Sequence, residues 1–464
     1  MATFIEKYGA KSKDMNFKAA LIYGKLINSA IRIIDSSRGS NKAGEMALAK
    51  CPDMIKHFKG IDPSKVVFIT GTNGKSTTTN LINHIFTKSG YNVVCNLEGA
   101  NLLPGICTAL IKASDLSGNI KADYLILETD ERYLHKIREN LECNNLLVTN
   151  IMKDQVQRNG DPDFVYRKIA KVVKDFKMNL FLNADEPRAR SLEDNGAKVI
   201  RYGAEKHSKS FTKDESFPTM PCPKCKHKII FKYYNNDMVG NFRCVNCGFG
   251  SDEPADYITE SADFEARTFS VNGVKFNMPY EPPYMLYNYS AAVAVAKEIG
   301  GISEEKSAEA FADFKNIGGR LETIEYKGKK IHYMRFKQEN PETLQNFINI
   351  IAADPGEKAV VVGFGTVDDI TPFYINSFYG YDCNFSALAD ANIKKFLCVT
   401  DTICYDSANC LIYGGADPNL MEIIPTDDSA RIAEAIAALD CDNVYLDMKL
   451  EAFENLKNYV EKEA

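Results

Sequence analysis

The strongest single signal in this sequence is the segment VVFITGTNGKSTTTNLINHIF, residues 66–86. An apolar, β-branched run enters a glycine-rich turn, and a segment with helical spacing opens at Lys75 and Ser76. A strand that meets a helix through such a turn aims backbone N–H groups and the positive end of the helix at an anion. We therefore predict a phosphate-binding loop in which Lys75 reaches the outer phosphates and the Ser76 hydroxyl binds Mg²⁺.

The loop has the short form G-x-x-G-K-[ST], because Ile69 stands where the longer consensus has its first glycine. Gly71 and Gly74 are the residues that allow a close approach of the backbone to phosphate. The alternative is a plain strand–turn–helix corner that holds no ligand. We favour the phosphate loop, since Gly-Lys-Ser at a strand-to-helix junction rarely arises without a phosphate to hold.

Outside the loop, short β-rich runs alternate with amphipathic helices, which predicts an α/β fold with parallel sheets covered by helices. The strands predicted around the loop are 66–70, 124–128, 145–150, 180–183 and 198–203, followed by a helix at 284–299. A second α/β series follows residues 318–322, with predicted strands at 331–336, 359–364, 395–400, 410–414 and 443–448.

A chain of 464 residues is too long for one hydrophobic core, so several domains are expected. We predict a helical segment at 1–60 that packs on a central ATP-binding domain at 61–322. A polar module at about 206–260 interrupts the central domain. A C-terminal, Rossmann-like α/β domain is predicted at 323–464.

The inserted module contains Cys222-x-x-Cys225 and Cys244-x-x-Cys247. Two such pairs at this separation are typical of a zinc ribbon, in which four thiolates surround Zn²⁺. Four sulfur ligands leave no open position, so the predicted zinc is structural. The alternative is four unconnected thiols, and His227 is interpreted as a bystander.

The composition limits the classes of function. The net charge of -6 argues against a dedicated nucleic-acid binder, and the four-cysteine insert lacks the dense basic and aromatic residues that would bind nucleic acid. No apolar run is long enough to cross a bilayer, and the first residues lack the pattern of a secretory signal. Thirteen scattered cysteines are typical of reduced thiols in a cytoplasmic protein. Contact with a membrane is therefore expected to be peripheral at most.

The segment GTNGKS resembles the ATP loop of the Mur ligases and folylpolyglutamate synthetases, and further matches follow in the family's order. They are Glu128 in LILETDE, then Asn150, Asp154 and Arg158 in VTNIMKDQVQRNGD, the turn LNADEP, Arg320 in GGRLE, and Asn288 before Ala291–Ala292. The resemblance implies an ATP-dependent ligase with a central Mur-type domain. The residues that it implies for ATP binding are Gly71, Thr72, Asn73, Gly74, Lys75, Ser76, Thr77, Asn150, Asn288 and Arg320, with Ser76 and Glu128 on Mg²⁺ and with Lys75 and Glu128 catalytic.

One position departs from that pattern. Met285 stands where members of the family carry an asparagine that contacts adenine. A thioether packs on a purine but does not read its edge by hydrogen bonding.

An embedded four-cysteine ribbon resembles one branch of this superfamily, the synthetase subunits of lipid II isoglutaminyl synthase. The segments ENPETLQNFI, YDCNFSAL and VTDTICYDSANCLIYGG resemble C-terminal motifs of that branch, although Ile403 replaces an arginine. The branch implies ATP-dependent amidation of the D-glutamate α-carboxylate of lipid II through an acyl phosphate. Ammonia would come from a GatD-like glutaminase subunit in a heterodimer.

In that branch the synthetase subunit lends an acidic residue to the partner's catalytic triad. Alignment through Asp382 places Asn376 at this position, with Asp368 and Asp369 as alternative donors and a plain surface loop as the opposing interpretation. Asn376 and Asp382 are accordingly predicted as catalytic. A nucleophilic pair within this chain, from Cys383, Cys404 and His332, lacks any local signature.

Three hypotheses remain open from the sequence. The first is the amidating ligase subunit. The second is another Mur-type ligase that joins an amino acid to a carboxylate and needs no glutaminase. The third is a scaffold that keeps the fold without catalysis, which Met285 and Asn376 favour and the intact GTNGKS opposes.

Overall fold

The computed structural model describes residues 16–34, 41–96, 100–154, 156, 160–212, 220–280, 282–314, 321–334, 338, 340–365, 376–389 and 391–463. The chain divides into two compact units. The first comprises 1–152 and 162–315, and the second comprises 153–161 and 316–464. The three-domain division expected from the sequence stays a prediction, because compactness separates the chain only into these two parts.

The first unit is built on a nine-stranded sheet with the order β11-β10-β9-β6-β5-β4-β1-β3-β2. Its strands are β1 (Val66–Thr70), β2 (Val93–Cys95), β3 (Tyr124–Glu128), β4 (Asn145–Val148), β5 (Asn179–Asn183), β6 (Val199–Ala204), β9 (Tyr257–Asp263), β10 (Thr268–Val271) and β11 (Val274–Asn277). The pairings from β2 to β9 are parallel, whereas β9, β10 and β11 pair antiparallel. The predicted parallel sheet is confirmed.

Helices cover both faces of this sheet. They are α1 (Phe17–Ile34), α2 (Lys42–Leu48), α3 (Lys75–Lys88), α4 (Leu103–Ala113), α5 (Leu134–Asn140), α6 (Pro162–Phe176), α7 (Pro187–Arg190), α8 (Met285–Gly300) and α9 (Glu304–Phe311). Every residue of β1 is buried, because Val66 and Phe68 face one hydrophobic core while Val67 and Ile69 face the other. This burial on two faces explains why β1 is a continuous apolar run.

The parallel register brings the carboxyl ends of β1, β3, β4 and β5 to one edge of the sheet. In open α/β sheets this edge is where ligands bind. The glycine loop leaves β1 at this edge and enters α3, so the fold itself places the loop at the ligand-binding edge.

The inserted module is a separate small sheet. Strands β7 (Ile229–Asn236) and β8 (Val239–Cys244) pair antiparallel with two irregularities of register. Its own hydrophobic cluster is small and contains two of the four cysteines, Cys222 and Cys244.

The second unit has a six-stranded sheet with the order β12-β13-β17-β14-β15-β16. The strands are β12 (Leu321–Tyr326), β13 (Lys329–Met334), β14 (Lys358–Gly363), β15 (Ile393–Cys398), β16 (Met421–Ile423) and β17 (Asn443–Met448). Its helices are α10 (Pro341–Ala353), α11 (Cys404–Tyr413), α12 (Ser429–Ala437) and α13 (Leu450–Glu463). All pairings are parallel except β12 with β13.

The strand predicted at 410–414 is wrong, because these residues end helix α11. Buried residues recur at helical spacing in this helix, namely Cys404, Ser407, Ala408 and Leu411. This pattern begins six residues before the apolar run at 410–414 that was interpreted as a strand. A short apolar run does not by itself distinguish a strand from the end of a buried helix.

No helix in the described ranges is both long enough and apolar enough to cross a bilayer.

Candidate active site

The glycine loop has a backbone that only glycine accepts at two points. Gly71 and Gly74 have φ angles of 126° and 82°. A Cβ atom on Gly71 would lie 2.3 Å from Oγ1 of Thr149, and one on Gly74 would lie 2.5 Å from Oδ1 of Asn288. The loop is therefore packed too tightly against its neighbours for any larger residue.

Asn150 holds the loop from the end of β4. Its carbonyl accepts a hydrogen bond from the N–H of Thr72 at 2.8 Å. Its side-chain Oδ1 accepts from the N–H of Asn73 at 2.9 Å, and its Nδ2 donates to the Asn73 carbonyl at 3.2 Å. Asn150 thus pairs with the loop as a neighbouring strand would. The structure brings this predicted site residue to the loop, where it fixes the loop's shape.

Ser76 and Glu128 form the centre of the site. The exposed Ser76 is in the first turn of α3 beside the half-buried Thr77, and its hydroxyl donates to Oε2 of Glu128 at 2.7 Å. The other carboxylate oxygen of Glu128, Oε1, accepts from Nδ2 of Asn101 at 3.0 Å. Serine and carboxylate oxygens are ligands that Mg²⁺ prefers, so this pair fits a magnesium ion.

Asn96 fixes the backbone of Glu128 and was missed by the sequence interpretation. Its Oδ1 accepts from the N–H of Glu128 at 2.8 Å, and its Nδ2 donates to the Glu128 carbonyl at 2.9 Å. Asn96 comes directly after β2, and Asn101 comes shortly before α4. Both asparagines therefore reach Glu128 from loops at the edge of the sheet. Their position after a strand and before a helix is the signal that could have indicated them.

Lys75 is already paired in this structure. Its ammonium donates to the carbonyls of Gly71 and Thr72, the latter at 3.0 Å, and it lies 3.4 Å from Oε2 of Glu131. The Glu131 side chain is only 5% exposed. The lysine therefore folds back over its own loop beside a buried carboxylate that the sequence interpretation did not single out, although it stands three residues after Glu128.

The start of α8 closes the other side of the loop. Oδ1 of Asn288 accepts from the Thr78 hydroxyl at 3.2 Å, and Nδ2 of Asn288 lies 3.4 Å from the sulfur of Met285. Both Asn288 and Met285 are buried. The structure thus joins Asn288 to the loop and places Met285 directly beside it.

The LNADEP turn has a structural role at the same edge. The carboxylate of Glu186 accepts from the N–H groups of Ile151, Arg188 and Ala189, which caps α7 and ties β4 to β5. Oδ2 of Asp185 accepts from the Tyr287 hydroxyl at 3.0 Å, and burial raises the pKa of Asp185 to about 6.

The four cysteines of the insert converge as the spacing predicted. Their sulfur atoms all lie within 4.8 Å of one another, with Cys222–Cys247 at 3.8 Å and Cys225–Cys244 at 3.4 Å. Four thiolates at about 2.3 Å from one ion would be about 3.8 Å apart in a tetrahedron. The cluster could therefore hold a metal ion. His227 bonds through Nδ1 to the Cys225 carbonyl and is not part of the cluster.

In the second unit, Asn376 is fully buried. Its Oδ1 accepts from the N–H of Gly365 at 2.8 Å, and its Nδ2 donates to Oε1 of Gln338 at 3.2 Å. Gln338 in turn donates to Asp447 at 2.7 Å, and burial raises the pKa of Asp447 to about 7. Both ends of the Asn376 amide are thus engaged inside the unit, and its role toward a partner stays a prediction.

Asp382 differs from Asn376 because it lies at the surface. Its side chain is 38% exposed and forms an ion pair with Lys153. Asp154 is buried and accepts from Asn340 at 3.2 Å. The residues Arg158, Arg320, Asp368 and Asp369, which the sequence also singled out, lie outside the described residues.

Cys383, Cys404 and His332 have separate partners. The Cys404 thiol donates to the Asp401 carbonyl and the Cys383 thiol contacts the Pro341 carbonyl. His332 bonds to Thr323 and Asn443. These contacts give no support to a nucleophilic cysteine–histidine pair.

Comparison with known proteins agrees with this fold. Residues 69–296 match the Mur ligase middle domain. This part of the chain is therefore similar to the middle domain of the Mur ligases, which are ATP-dependent ligases.

Within that class, the chain is similar to subunit MurT of the glutamine-hydrolysing lipid II isoglutaminyl synthase. It is 27% identical to the Staphylococcus aureus (strain COL) protein over 387 residues, which cover 82% of this chain and 84% of that protein. Identity to the Streptococcus pneumoniae (strain ATCC BAA-255 / R6) protein is 26% over 391 residues, with the same coverage of 82% and 84%. Among solved structures, a pseudomurein peptide ligase type C from Methanothermus fervidus shares the fold with a TM-score of 0.67 at 18% identity, covering 89% of this chain and 81% of that one.

Proposed function

We propose that this protein amidates the D-glutamate α-carboxylate in the stem peptide of lipid II, using ATP and ammonia. The observation that carries the proposal is the similarity to MurT, which extends over 82% of this chain and 84% of that protein and therefore includes both units. The arrangement of Lys75, Ser76 and Glu128 at the sheet edge supports the ATP-dependent half of the reaction.

ATP would lie along the loop with its phosphates toward the first turn of α3. The N–H groups of the first turn of α3, together with the positive end of that helix, favour anionic oxygens, whereas those of Thr72 and Asn73 are held by Asn150. The Ser76 hydroxyl and the Glu128 carboxylate would hold Mg²⁺, which supplies charge neutralisation to the transferring phosphoryl group. Asn101 and Asn96 would keep Glu128 oriented while its oxygens exchange partners.

The chemistry proposed is a phosphoryl transfer followed by an acyl substitution. A carboxylate oxygen of the substrate attacks the γ-phosphorus of ATP, the bond to the β–γ bridging oxygen breaks, and ADP leaves. Ammonia then attacks the acyl carbon, and phosphate leaves with the oxygen that came from the carboxylate. The nitrogen loses a proton to solvent, which leaves the amide.

Ammonia would come from a glutaminase subunit, GatD-like, in a heterodimer. The names of the relatives describe MurT as a subunit of a glutamine-hydrolysing synthase, which supports such a partner. Asp382 is the better candidate to complete a partner's catalytic triad, because its carboxylate lies at the surface whereas the Asn376 amide is enclosed. A carboxylate also offsets the charge of an imidazolium, which an amide does not.

Cys222, Cys225, Cys244 and Cys247 would hold a structural Zn²⁺ in the insert. The convergence of the four sulfur atoms supports this assignment. With every position taken by sulfur, the metal would stabilise the ribbon rather than bind substrate.

The experiment that tests the proposal uses free ammonium, which bypasses the glutaminase. Purified protein is incubated with lipid II, Mg-ATP and ammonium, and the stem peptide is analysed by mass spectrometry. We expect replacement of one carboxyl OH by NH₂. Lys75→Ala should lower the rate by about 10²-fold or more, because the charge on the transferring phosphate loses its cation.

The matched control is Lys88→Ala, which removes an exposed lysine at the far end of the same helix. It should leave the rate within about twofold of wild type. Incorporation of a supplied amino acid in place of ammonia would contradict the proposal in favour of an amino-acid ligase. Absence of both ATP turnover and amidation in folded, zinc-loaded protein would favour a scaffold.

A further inference from the structure

Helix α1 is fixed to the first unit by one face only. Ala20 and Leu21 are fully buried, and a Cβ atom on Gly24 would lie 2.8 Å from Cδ1 of Ile111 in α4. The ammonium of Lys25 donates to the carbonyls of Ile111 and Ser114 at 2.7 and 2.5 Å, at the C-terminal end of α4. These contacts determine which way the helix is turned.

The opposite face of α1 is exposed and largely apolar. It consists of Lys18, Ile22, Leu26, Ser29 and Ala30, which we call the outer face of α1. At 100° per residue these positions fall within an arc of about 120°. Leu26 is 65% exposed and Ile22 is 41% exposed.

The charge of this region is opposite to that of the rest of the protein. Helix α1 contains Lys18, Lys25 and Arg32 and no acidic residue. Of these, Lys18 lies on the outer face, whereas the Lys25 ammonium is turned inward to α4. Residues 1–42 hold eight basic and three acidic residues, whereas the whole chain has 56 basic and 62 acidic ones. A net charge of +5 over this stretch, in a chain of net charge -6, is the pattern that favours an anionic surface.

We propose that the outer face of α1 lies on an anionic lipid bilayer. A helix that turns aliphatic side chains outward, in a stretch of net positive charge, binds in the plane of the interface, through apolar burial and attraction to anionic headgroups. The outer face extends from Lys18 to Ala30, about 18 Å along the helix, so that between three and four turns would contact the membrane. No helix in the described part of the chain could span the bilayer, so the contact would be peripheral.

This surface would also bring the active site to its substrate, and that part rests on the proposed function. A lipid-linked acceptor is confined to the membrane surface, so an enzyme that adsorbs there meets it at a higher local concentration. The surface should therefore affect the reaction of lipid II and leave the reaction of a lipid-free stem peptide unchanged.

The test uses the full chain and vesicle flotation. Vesicles contain phosphatidylcholine alone or phosphatidylcholine with one-third phosphatidylglycerol. The wild-type protein should float with the anionic vesicles, and salt should weaken this binding because the attraction is screened. Ile22→Glu with Leu26→Glu should lower the partition coefficient by about tenfold or more. Lys18→Glu should lower it by about fivefold on anionic vesicles.

Leu450→Glu is the matched control, since Leu450 is an exposed leucine of the second unit. It should bind vesicles as wild type does. Circular dichroism verifies that the variants fold, as expected for exposed positions. Equal vesicle binding by the double variant and wild type, or no binding by either, would overturn the proposal. A dimer that the double variant dissociates, without vesicle binding, would overturn it in favour of contact between copies.

Amidation assays separate this proposal from the function on which its second part rests. Protein that floats with anionic vesicles but amidates nothing would support the surface and overturn the function. Protein that amidates lipid II in detergent but never binds vesicles would support the proposed function and overturn the membrane-binding surface. Loss of activity on vesicle-borne lipid II alone, with normal amidation of the lipid-free peptide, supports both.

Discussion

Glu131 is the residue that most changes the interpretation of the phosphate loop. Its buried carboxylate lies 3.4 Å from the ammonium of Lys75, which also donates to two carbonyls of the loop. An incoming phosphate must compete with these acceptors for Lys75, and it meets a negative charge beside them. Glu131 therefore favours a nucleotide whose charge has been reduced by bound Mg²⁺ over the free triphosphate.

We predict that Glu131→Gln binds metal-free ATP about tenfold more tightly and changes the affinity for Mg-ATP less. Amidation should become slower, because Lys75 loses the partner that positions it. Isothermal titration with Mg²⁺ and with EDTA measures the two affinities. Glu139→Gln, on an exposed glutamate of α5, is the control. Equal changes in both affinities would mean that Glu131 has only a structural role.

Single residues also show what the sequence could and could not predict about the site. Lys75, Ser76 and Glu128 were predictable, because a glycine loop and a strand end have fixed places in an α/β sheet. Glu131 was not predictable, because its contact with Lys75 depends on how that lysine folds back over the loop. Asn376 was predicted from alignment alone, and its burial follows from contacts with Gly365 and Gln338 that no local pattern shows.

The four-cysteine ribbon is the element whose stability would depend most on a bound metal ion. The hydrophobic core of the ribbon is small, and two of its buried members, Cys222 and Cys244, are also candidate metal ligands. A core of this size does not offset the entropy of ordering the chain, so metal binding would supply folding free energy. Asn235 in β7 bonds to the Tyr287 hydroxyl at 3.0 Å and so joins the ribbon to α8.

We predict that wild-type protein contains one zinc ion and that Cys225→Ser with Cys247→Ser lacks it. Loss of the metal should expose the ribbon to limited proteolysis, because its strands lose their main constraint. Elemental analysis and mass spectrometry of the fragments measure both effects. Cys383→Ser, which replaces a cysteine outside the cluster, should change neither. Unchanged zinc content in the double variant would contradict the assignment.

Elements were predicted best where the strand is buried on both faces. The runs at 66–70, 124–128 and 443–448 match β1, β3 and β17 at both ends. The run at 410–414 failed because it ends a helix that starts at Cys404. Strands β2 and β16 were missed, since each has three residues and carries too short a pattern to detect.

At the scale of the whole molecule, the two units suit the two halves of the proposed reaction. The first unit has the phosphate loop and the pair Ser76–Glu128, which are suited to activating a carboxylate with ATP. The second unit has the exposed Asp382, which is suited to contact with a glutaminase. The outer face of α1 would add attachment to the membrane. In the proposed mechanism, ATP activates the substrate carboxylate as an acyl phosphate.

Oxygen-isotope transfer tests that claim most directly. Lipid II whose D-glutamate α-carboxylate carries ¹⁸O is incubated with the protein, Mg-ATP and ammonium, and the released phosphate is analysed by mass spectrometry. If an acyl phosphate forms, each phosphate released with an amide should contain one oxygen atom from the carboxylate. Phosphate without the label, released at the rate of amidation, would contradict acyl phosphate formation and with it the proposed mechanism.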